Sequence, residues 1–224
     1  MWIKICANTN LEDALLAAEL GAHAVGFVFA PSPRRVTAAQ VAAITPHLPA
    51  GIEKVGVFDT HTPDEILQTV DAAGLTGIQL HRTFDSALSH ALHQALADRV
   101  TLTQTIHWDA TPGAPDPAAA IERQLRLVRA ESSIDRVLID SRFGAATGGT
   151  GIPFDWQSAA DVLSAHLGDL KLIVAGGLRP DNVEEAIHRL NPWGVDVASG
   201  VELSAGKKDP QKLEAFIKKA SRCV

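Results

Sequence analysis

The chain has 224 residues, of which 46% are hydrophobic and 21% are charged, and its formal net charge is −6. This composition excludes a disordered chain, and the acidic balance without a Lys/Arg cluster argues against nucleic acid as a partner. No apolar run approaches the ~20 residues that cross a bilayer, and residues 1–6 lack a secretory signal, so we expect a cytoplasmic protein with no membrane contact. Cys6 and Cys223 are too few for a disulfide framework or a cysteine-rich zinc module.

Short apolar runs alternate with helix-like segments from one end of the chain to the other. The apolar runs predict eight strands, at residues 2–6, 23–29, 53–58, 77–80, 100–106, 136–140, 170–175 and 195–199. Helix signals occupy the intervals. Thr9-Asn10-Leu11-Glu12 predicts a capping box begun by Thr9. Residues 37–40 predict a second capping box, and Gly21 and Gly74 predict helix ends.

Eight strand–helix pairs are the number that closes a (β/α)₈ barrel. A doubly wound open sheet is the alternative, because it gives the same alternation. An open sheet normally carries a glycine-rich phosphate loop after its first strand, whereas Cys6-Ala7-Asn8-Thr9-Asn10 follows here. We therefore predict an α/β fold, a single TIM-barrel domain over residues 1–224.

The last two predicted strands end in small residues that suit an anion. Gly176 and Gly177 follow the seventh strand, and Ser199 and Gly200 follow the eighth, so both loops expose backbone amides. Glycines often only form turns, but two such loops on consecutive strands favour a phosphate site in this kind of barrel. We therefore expect a TIM barrel of the phosphate-binding type.

Asp140 and Cys6 are the candidate acid and base, because barrel chemistry gathers at the carboxyl ends of the strands. Asp140 ends the sixth strand, where desolvation would raise its pKa as a general acid requires. A helix cap is the alternative, but no helix signal begins at residue 141. Cys6 ends the first strand on the opposite side of the barrel. A buried structural cysteine is the alternative there, and a thiolate role needs a pKa lowered from about 8.5.

Other polar residues near predicted strand ends are open to more than one interpretation. One of Arg34 and Arg35 would recognise an anionic ligand from the loop after the second strand. His81 could act as a base, but a histidine paired with Gln79 inside a barrel is as well explained by a structural role. The 9 histidines are scattered and no cluster has metal-ligand spacing, so we expect no metal site.

Several short motifs carry the most specific information when they are taken in order. They are Lys-Ile-Cys at 4–6, Ser-Pro-Arg at 32–34, Gln-Leu-His at 79–81, Asp-Ser at 140–141, Gly-Gly-Thr-Gly at 148–151, Ala-Gly-Gly-Leu at 175–178, Asn-Val at 182–183 and Gly-Val-Asp-Val-Ala-Ser-Gly-Val-Glu at 194–202. This ordered set resembles the phosphoribosylanthranilate isomerase family of tryptophan biosynthesis over residues 4–218.

The resemblance implies a cofactor-free Amadori rearrangement of a small anionic phosphosugar. N-(5-phosphoribosyl)anthranilate would be converted to 1-(2-carboxyphenylamino)-1-deoxyribulose 5-phosphate by a monomer or homodimer. By position, Cys6 would be the general base, Asp140 the general acid and Arg34 the contact for the anthranilate carboxylate. The further site residues implied are Gln79, His81 and Asp196 for the substrate and Gly176, Gly177, Ser199 and Gly200 for its phosphate.

Three residues depart from the family pattern and two alternatives follow. Ala7 and Asn8 stand where the family usually has Gly and Ile or Val, and Arg82 stands where it usually has Gly. One alternative is a related phosphoribosyl isomerase of the histidine pathway, although those barrels tend to have aspartate at the position of Cys6. The other is a non-catalytic phosphosugar-binding protein, which would need neither Cys6 nor Asp140.

Overall fold

The computed structural model describes residues 1–109, 111, 115–143, 146–147 and 155–223, and within these ranges eight parallel strands form a closed barrel. The strands of the described chain are β1 (Trp2–Ile5), β2 (Ala24–Val28), β3 (Glu53–Phe58), β4 (Gly77–Leu80), β5 (Thr101–Asp109), β6 (Arg136–Phe143), β7 (Ala146–Thr147), β8 (Lys171–Val174), β9 (Gly194–Val197), β10 (Glu202–Ser204) and β11 (Lys207–Lys208). Around the barrel the order is β1-β2-β3-β4-β5-β6-β8-β9, and β9 pairs again with β1. β7 pairs antiparallel with β6, and β10 with β11.

Helices connect successive barrel strands and pack their apolar faces on the outside of the barrel. They are α1 (Leu11–Glu19), α2 (Ala38–Ala42), α3 (Pro63–Ala73), α4 (Ser86–Leu96), α5 (Pro117–Arg129), α6 (Trp156–His166), α7 (Val183–Leu190) and α8 (Pro210–Arg222). In α3, for example, Ile66 and Val70 are buried one turn apart. Among the described residues, no helix combines the length and the apolar character needed to cross a membrane.

Each predicted strand coincides with one barrel strand, which confirms the (β/α)₈ barrel and excludes the open sheet. β5 and β6 run further than predicted, to Asp109 and Phe143. Parallel pairing explains the extension, because His107 lies opposite Asp140 in the β5–β6 ladder and the pairing continues beyond it. The carboxyl end of β6 therefore projects past the candidate acid.

The predicted helix signals are right at α2 and α3 and wrong by one residue at α1. Thr37 forms the predicted capping box at α2, and Gly74 ends α3 with a φ of +62°. Asn10, and not Thr9, caps α1. The Thr9 hydroxyl instead donates a 2.6 Å hydrogen bond to the carbonyl of Gly206, a contact distant in the sequence.

The interior of the barrel holds a layer of polar side chains, although barrel interiors are usually filled by branched apolar residues. Ile3 and Ile5 of β1 join the apolar core, whereas Lys4 between them bonds to Gln79 and Asp196. Because side chains alternate along a strand, β1 presents Lys4 to the opposite side from Ile3 and Ile5. This polar layer underlies the carboxyl end of the barrel.

Candidate active site

A cavity of about 880 Å³, counted with its open mouth, lies at the carboxyl end of the barrel. All the site residues named from the sequence line it: Cys6, Arg34, Gln79, His81, Asp140, Gly176, Gly177, Asp196, Ser199 and Gly200. The barrel thus brings together residues from six different strand ends. The predicted glycine-rich segment at 148–151 lies outside the described residues.

Asp140 is a buried carboxyl group whose surroundings disfavour its charge. The residue is 7% exposed, and its pKa is raised to about 7 by burial and then by the neighbouring charge of Asp196. Lys4 and a hydrogen bond from the Ser141 backbone oppose this shift. Asp140 is therefore about half protonated near neutral pH and can donate a proton there.

Gly176 makes room for this carboxyl group. It follows β8 with a φ of +79°, and a Cβ at this position would lie 2.8 Å from Oδ1 of Asp140 and 2.3 Å from the backbone nitrogen of Ser141. A side chain at residue 176 would therefore force the β6 end and the β8 loop apart.

Cys6 lies directly after β1, with its thiol in the cavity wall. Burial raises the pKa of the thiol above its usual value, Lys4 and Lys208 lower it, and Asp196 raises it. The structure therefore does not give Cys6 the lowered pKa that a standing thiolate would need, because desolvation outweighs the two lysines. The thiol is mostly protonated at neutral pH, and its thiolate is a minor species.

The two unusual residues after Cys6 have separate roles. Ala7 lines the cavity with a φ of +61°, the left-handed region in which glycine is strained least, which explains why a glycine suits this position. Asn8 is buried outside the cavity lining. Its side-chain amide donates to the carbonyls of Ile5 at 2.8 Å and Gly26 at 3.2 Å, so it fastens the β1 turn to β2.

The cavity floor is a connected set of polar side chains from β1, β4, β5 and β9. The Lys4 ammonium donates to Oε1 of Gln79 at 2.5 Å and to Oδ2 of Asp196 at 2.9 Å. Gln79 in turn donates to the Thr105 hydroxyl at 3.1 Å. Asp196 keeps one buried oxygen, Oδ1, with no hydrogen-bond partner among the described residues. Of this set, Asp196 thus has an acceptor available to a substrate hydroxyl.

Arg34 stands at the rim, held by a two-pronged ion pair. Its Nε and Nη2 donate to the carboxylate of Glu202 at 2.7–3.0 Å. This contact aligns the planar guanidinium beside the cavity. Arg35 is exposed and does not line the cavity, so the structure separates the two arginines that the sequence left as equal candidates. Arg82 is likewise exposed and pairs with Asp59 at 3.4 Å.

His81 lies on the β6 side of the cavity. Its ring packs edge-to-face against that of His107 with centroids 4.7 Å apart. Ring nitrogens of both histidines and a carboxylate oxygen of Asp140 lie within 4.8 Å of one another. The candidate acid is therefore next to two imidazoles that could exchange protons with it.

The two candidate phosphate loops interlock. A Cβ at Gly200 would lie 1.9 Å from the carbonyl oxygen of Leu178, so only glycine lets the β9 loop pack on the β8 loop. Asn182 braces the β8 loop by donating to the Gly177 carbonyl at 3.0 Å and accepting from the Arg179 amide at 2.7 Å. Because the loops are held together, their backbone amides can converge on one anion.

Sequence reasoning missed four residues of the site: Lys4, Asn182, Glu202 and Lys208. Lys208 is fully buried, and its ammonium donates to the Cys6 carbonyl at 2.5 Å and to Glu202 at 3.3 Å. A signal existed for Lys4, which interrupts the apolar run Trp-Ile-Lys-Ile-Cys. A charged residue at the buried position of a strand is rare without a partner.

Known proteins match this chain over almost its whole length. The family model described as N-(5'-phosphoribosyl)anthranilate (PRA) isomerase matches residues 3–219. N-(5'-phosphoribosyl)anthranilate isomerase of Pelobacter propionicus is 38% identical, over 96% of this chain and 93% of the relative. The crystal structure of phosphoribosyl anthranilate isomerase from Thermotoga maritima has a TM-score of 0.84 at 32% identity and covers 99% of each chain. A structure of such an isomerase with reduced 1-(o-carboxyphenylamino)-1-deoxyribulose 5-phosphate has a TM-score of 0.80 at 32% identity, again over 99% of each chain.

Replacing Asp140 with Asn should change how stability depends on pH. The pKa of about 7 in the folded protein, against 3.8 for the ordinary carboxyl, makes the free energy of unfolding fall by roughly 3 kcal/mol as the pH rises from 4 to 7. The variant lacks this titration, so it should match the wild type at pH 4 and exceed it at pH 8. Urea unfolding at both pH values measures this, and an equal difference at the two would contradict it.

Gly176→Ala should lower kcat on the order of 10²-fold, because the new Cβ displaces the Asp140 carboxyl by a large fraction of an ångström or more. Gly21→Ala is the matched control. It also has a positive φ, of +99°, but no atom lies within 4 Å of the new Cβ. The control should lose stability and keep kcat. A Gly176→Ala enzyme with wild-type kcat would contradict the close packing of Gly176 on Asp140.

Proposed function

Because the chain belongs to the N-(5'-phosphoribosyl)anthranilate isomerase family, we propose that Cys6 and Asp140 act as the general base and general acid of its reaction. The reaction is the isomerisation of N-(5-phosphoribosyl)anthranilate to 1-(2-carboxyphenylamino)-1-deoxyribulose 5-phosphate in tryptophan biosynthesis. Family membership over the whole chain selects this isomerase over the histidine-pathway enzyme and over a non-catalytic binding protein. One observation carries the assignment of roles: both groups are buried in the wall of one cavity, between the candidate phosphate loops and Arg34.

The first step is the opening of the ribose ring. Asp140 donates its proton to the ring oxygen as the bond to C1′ breaks, and the nitrogen lone pair forms a Schiff base with C1′. A pKa of about 7 supports this role, because the carboxyl group holds a proton near neutral pH yet releases it readily.

The second step moves a proton from C2′. The Cys6 thiolate removes it, the electrons form the C1′–C2′ double bond of an enolamine, and tautomerisation of the enol gives the 2-ketone. Each acid or base role contributes ~10²–10⁴-fold to the rate. The thiolate is scarce in the buried site, but a thiolate that is poorly solvated is a strong base.

Two anchors hold the substrate by its ends. The phosphate accepts hydrogen bonds from the backbone amides of Gly176, Gly177, Ser199 and Gly200. The guanidinium of Arg34 donates to the anthranilate carboxylate at the other end. The protein carries a net charge of −6, so these local groups have to bind an anionic substrate without help from the overall charge. Holding both ends fixes the reacting carbons between Asp140 and Cys6. The alignment of the Arg34 guanidinium by Glu202 supports its proposed contact with the anthranilate carboxylate.

We place the protein in the cytoplasm, acting on a free small molecule without nucleic acid as a partner. The acidic net charge supports the exclusion of nucleic acid. A free thiol in the wall of the site is favoured by a reducing compartment, which supports the location.

The pH dependence of kcat/KM tests the two roles together. Turnover needs Asp140 protonated and Cys6 ionised, and the pKa of Asp140 lies below that of Cys6. The fraction of enzyme with this combination rises tenfold per pH unit up to about pH 7, stays level, and falls once the thiol ionises fully. Asp140→Asn should remove the break at pH 7, so its residual rate should keep rising above that pH.

Matched variants make the test specific. Cys6→Ser and Asp140→Asn should each lower kcat by 10²-fold or more and still bind a reduced product analogue within about threefold of the wild-type affinity. The phosphate of the substrate also titrates near neutral pH, and it is present in the reactions of all the variants. A break at pH 7 that persists in Asp140→Asn would therefore assign it to the substrate or to a histidine, and Asp140 would not be the acid.

Arg34→Ala should raise KM 10- to 100-fold and change kcat little, because it removes a charge-assisted contact to the carboxylate. Arg35→Ala is the control, since that side chain is exposed and outside the cavity. A substrate made from aniline lacks the carboxylate, so Arg34→Ala should leave its KM unchanged. An equal loss for both substrates would move the carboxylate contact away from Arg34.

A further inference from the structure

We propose that Lys4 is the counter-cation of the Cys6 thiolate and that Asp196 and Gln79 position its ammonium group. Lys4 is thus a positioning residue, which acts on the reaction through Cys6. The inference rests on the proposed function, because it concerns the base of that reaction.

Strand geometry places the two side chains together. Cys6 directly follows β1 and is two residues from Lys4, so both side chains point to the interior of the barrel, while Ile3 and Ile5 point to the apolar core. Lys4 is 1% exposed and lies opposite Asp196 in the β1–β9 register. A fully buried lysine directly below a cavity-lining thiol has no access to water as a partner.

Gly26 on the neighbouring strand β2 shows how close the two groups are. A Cβ at Gly26 would lie 2.7 Å from Sγ of Cys6 and 2.8 Å from Cε of Lys4. The sulfur and the end of the lysine chain therefore occupy adjacent positions over the same glycine. Two unit charges that are close together and shielded from water act strongly on each other.

The ammonium group remains charged in this setting. Burial works to lower the pKa of Lys4, but Asp196 and then Cys6 outweigh it, and the pKa lies above its ordinary value. Gln79 holds the same ammonium through a neutral oxygen at 2.5 Å. Among the described residues, Asp196 is the one carboxylate that the Lys4 ammonium contacts directly.

Three other charged groups also lie near Cys6, and each of them is held in an ion pair. Asp196 on β9 raises the pKa of the thiol. Lys208 on β11 bonds to the Cys6 carbonyl and to Glu202. Arg34, in the loop after β2, is bound on two prongs by Glu202.

Lys4 is the cation with most influence on the sulfur, because the end of its side chain and the sulfur lie over the same glycine. Among the charges around Cys6, Lys4 lowers the pKa of the thiol more than Lys208 does. Lys4 also acts on Asp140, whose pKa it lowers while Asp196 raises it. The Lys4–Asp196 pair therefore lies between the base and the acid and influences the proton affinity of both.

The test is a direct titration of the thiol. In a Cys223→Ser background Cys6 is the one remaining cysteine of the chain. The pH dependence of its alkylation by iodoacetamide, together with the ultraviolet absorbance of the thiolate, reports its pKa without reference to turnover. The parent for all comparisons is this Cys223→Ser protein.

Two variants should move the titration in opposite directions. Asp196→Asn frees the Lys4 charge from its counter-ion, so it should lower the pKa of Cys6 and speed alkylation at pH 7 several-fold. Lys4→Met combined with Asp196→Asn removes both charges, so it should raise the pKa above that of the parent and slow alkylation at pH 7 about tenfold relative to Asp196→Asn. The double variant is used because Lys4→Met alone would bury an unpaired carboxylate and could unfold the barrel.

Lys171→Gln is the control, because Lys171 is an exposed lysine at the other end of the barrel, and it should titrate as the parent does. The proposal would be overturned if both test variants had the same Cys6 pKa as the parent. It would also be overturned if both variants shifted that pKa in the same direction. The proposed function has a separate outcome: if the thiol shifts as expected while Cys6→Ser keeps its turnover, Lys4 pairs with Cys6 but Cys6 is not the base.

Discussion

The buried ion pair between Lys4 and Asp196 is the interaction on which the site depends. The two charges are 2.9 Å apart inside the barrel, where an unpaired charge would be far more costly than a paired one. The parallel register of β1 and β9 places Lys4 opposite Asp196. The residues that follow them on the two strands therefore also lie side by side. Cys6 follows Lys4 by two residues, and the β9 phosphate loop follows Asp196.

The pair also explains why the two candidate catalytic groups behave differently although both are buried. Asp140 is next to the negative member, so burial and charge act together to keep its proton. Cys6 is next to the positive member, so charge opposes burial. The site thus holds an acid that stays protonated near neutral pH and a base whose proton affinity is moderated, with one ion pair between them.

Glycine packing couples the candidate phosphate loops to Asp140, the proposed acid. Gly176 contributes an amide to the phosphate loop and, because it has no side chain, lets that loop touch Asp140 and Ser141. Gly200 packs against the Leu178 carbonyl in the same way. A shift of the loops on binding phosphate would therefore be transmitted to the carboxyl group. A similar chain joins Arg34 through Glu202 and Lys208 to the Cys6 carbonyl, so each anchor is connected to one catalytic group.

The sequence by itself determined the architecture and predicted ten of the residues that line the cavity. Alternating apolar runs and helix signals were enough for the barrel, because each strand and helix has a local pattern. Strand ends were enough for the site, because a closed parallel barrel brings all of them to one face. The cap of α1 shows the limit of local patterns: Thr9 and Asn10 are both good caps, and a bond to Gly206 decided between them.

Only the tertiary structure decided the proton affinities of Cys6 and Asp140 and the hydrogen-bond partners of the site residues. The pKa of Cys6 depends on Lys208 and Asp196, about 200 residues away in the chain, and on burial that no local pattern measures. The choice of Arg34 over Arg35 depended on Glu202, and the roles of Ala7 and Asn8 on a backbone angle and on the carbonyl of Gly26. Electrostatic free energies fall off with distance in space, and sequence separation does not record that distance.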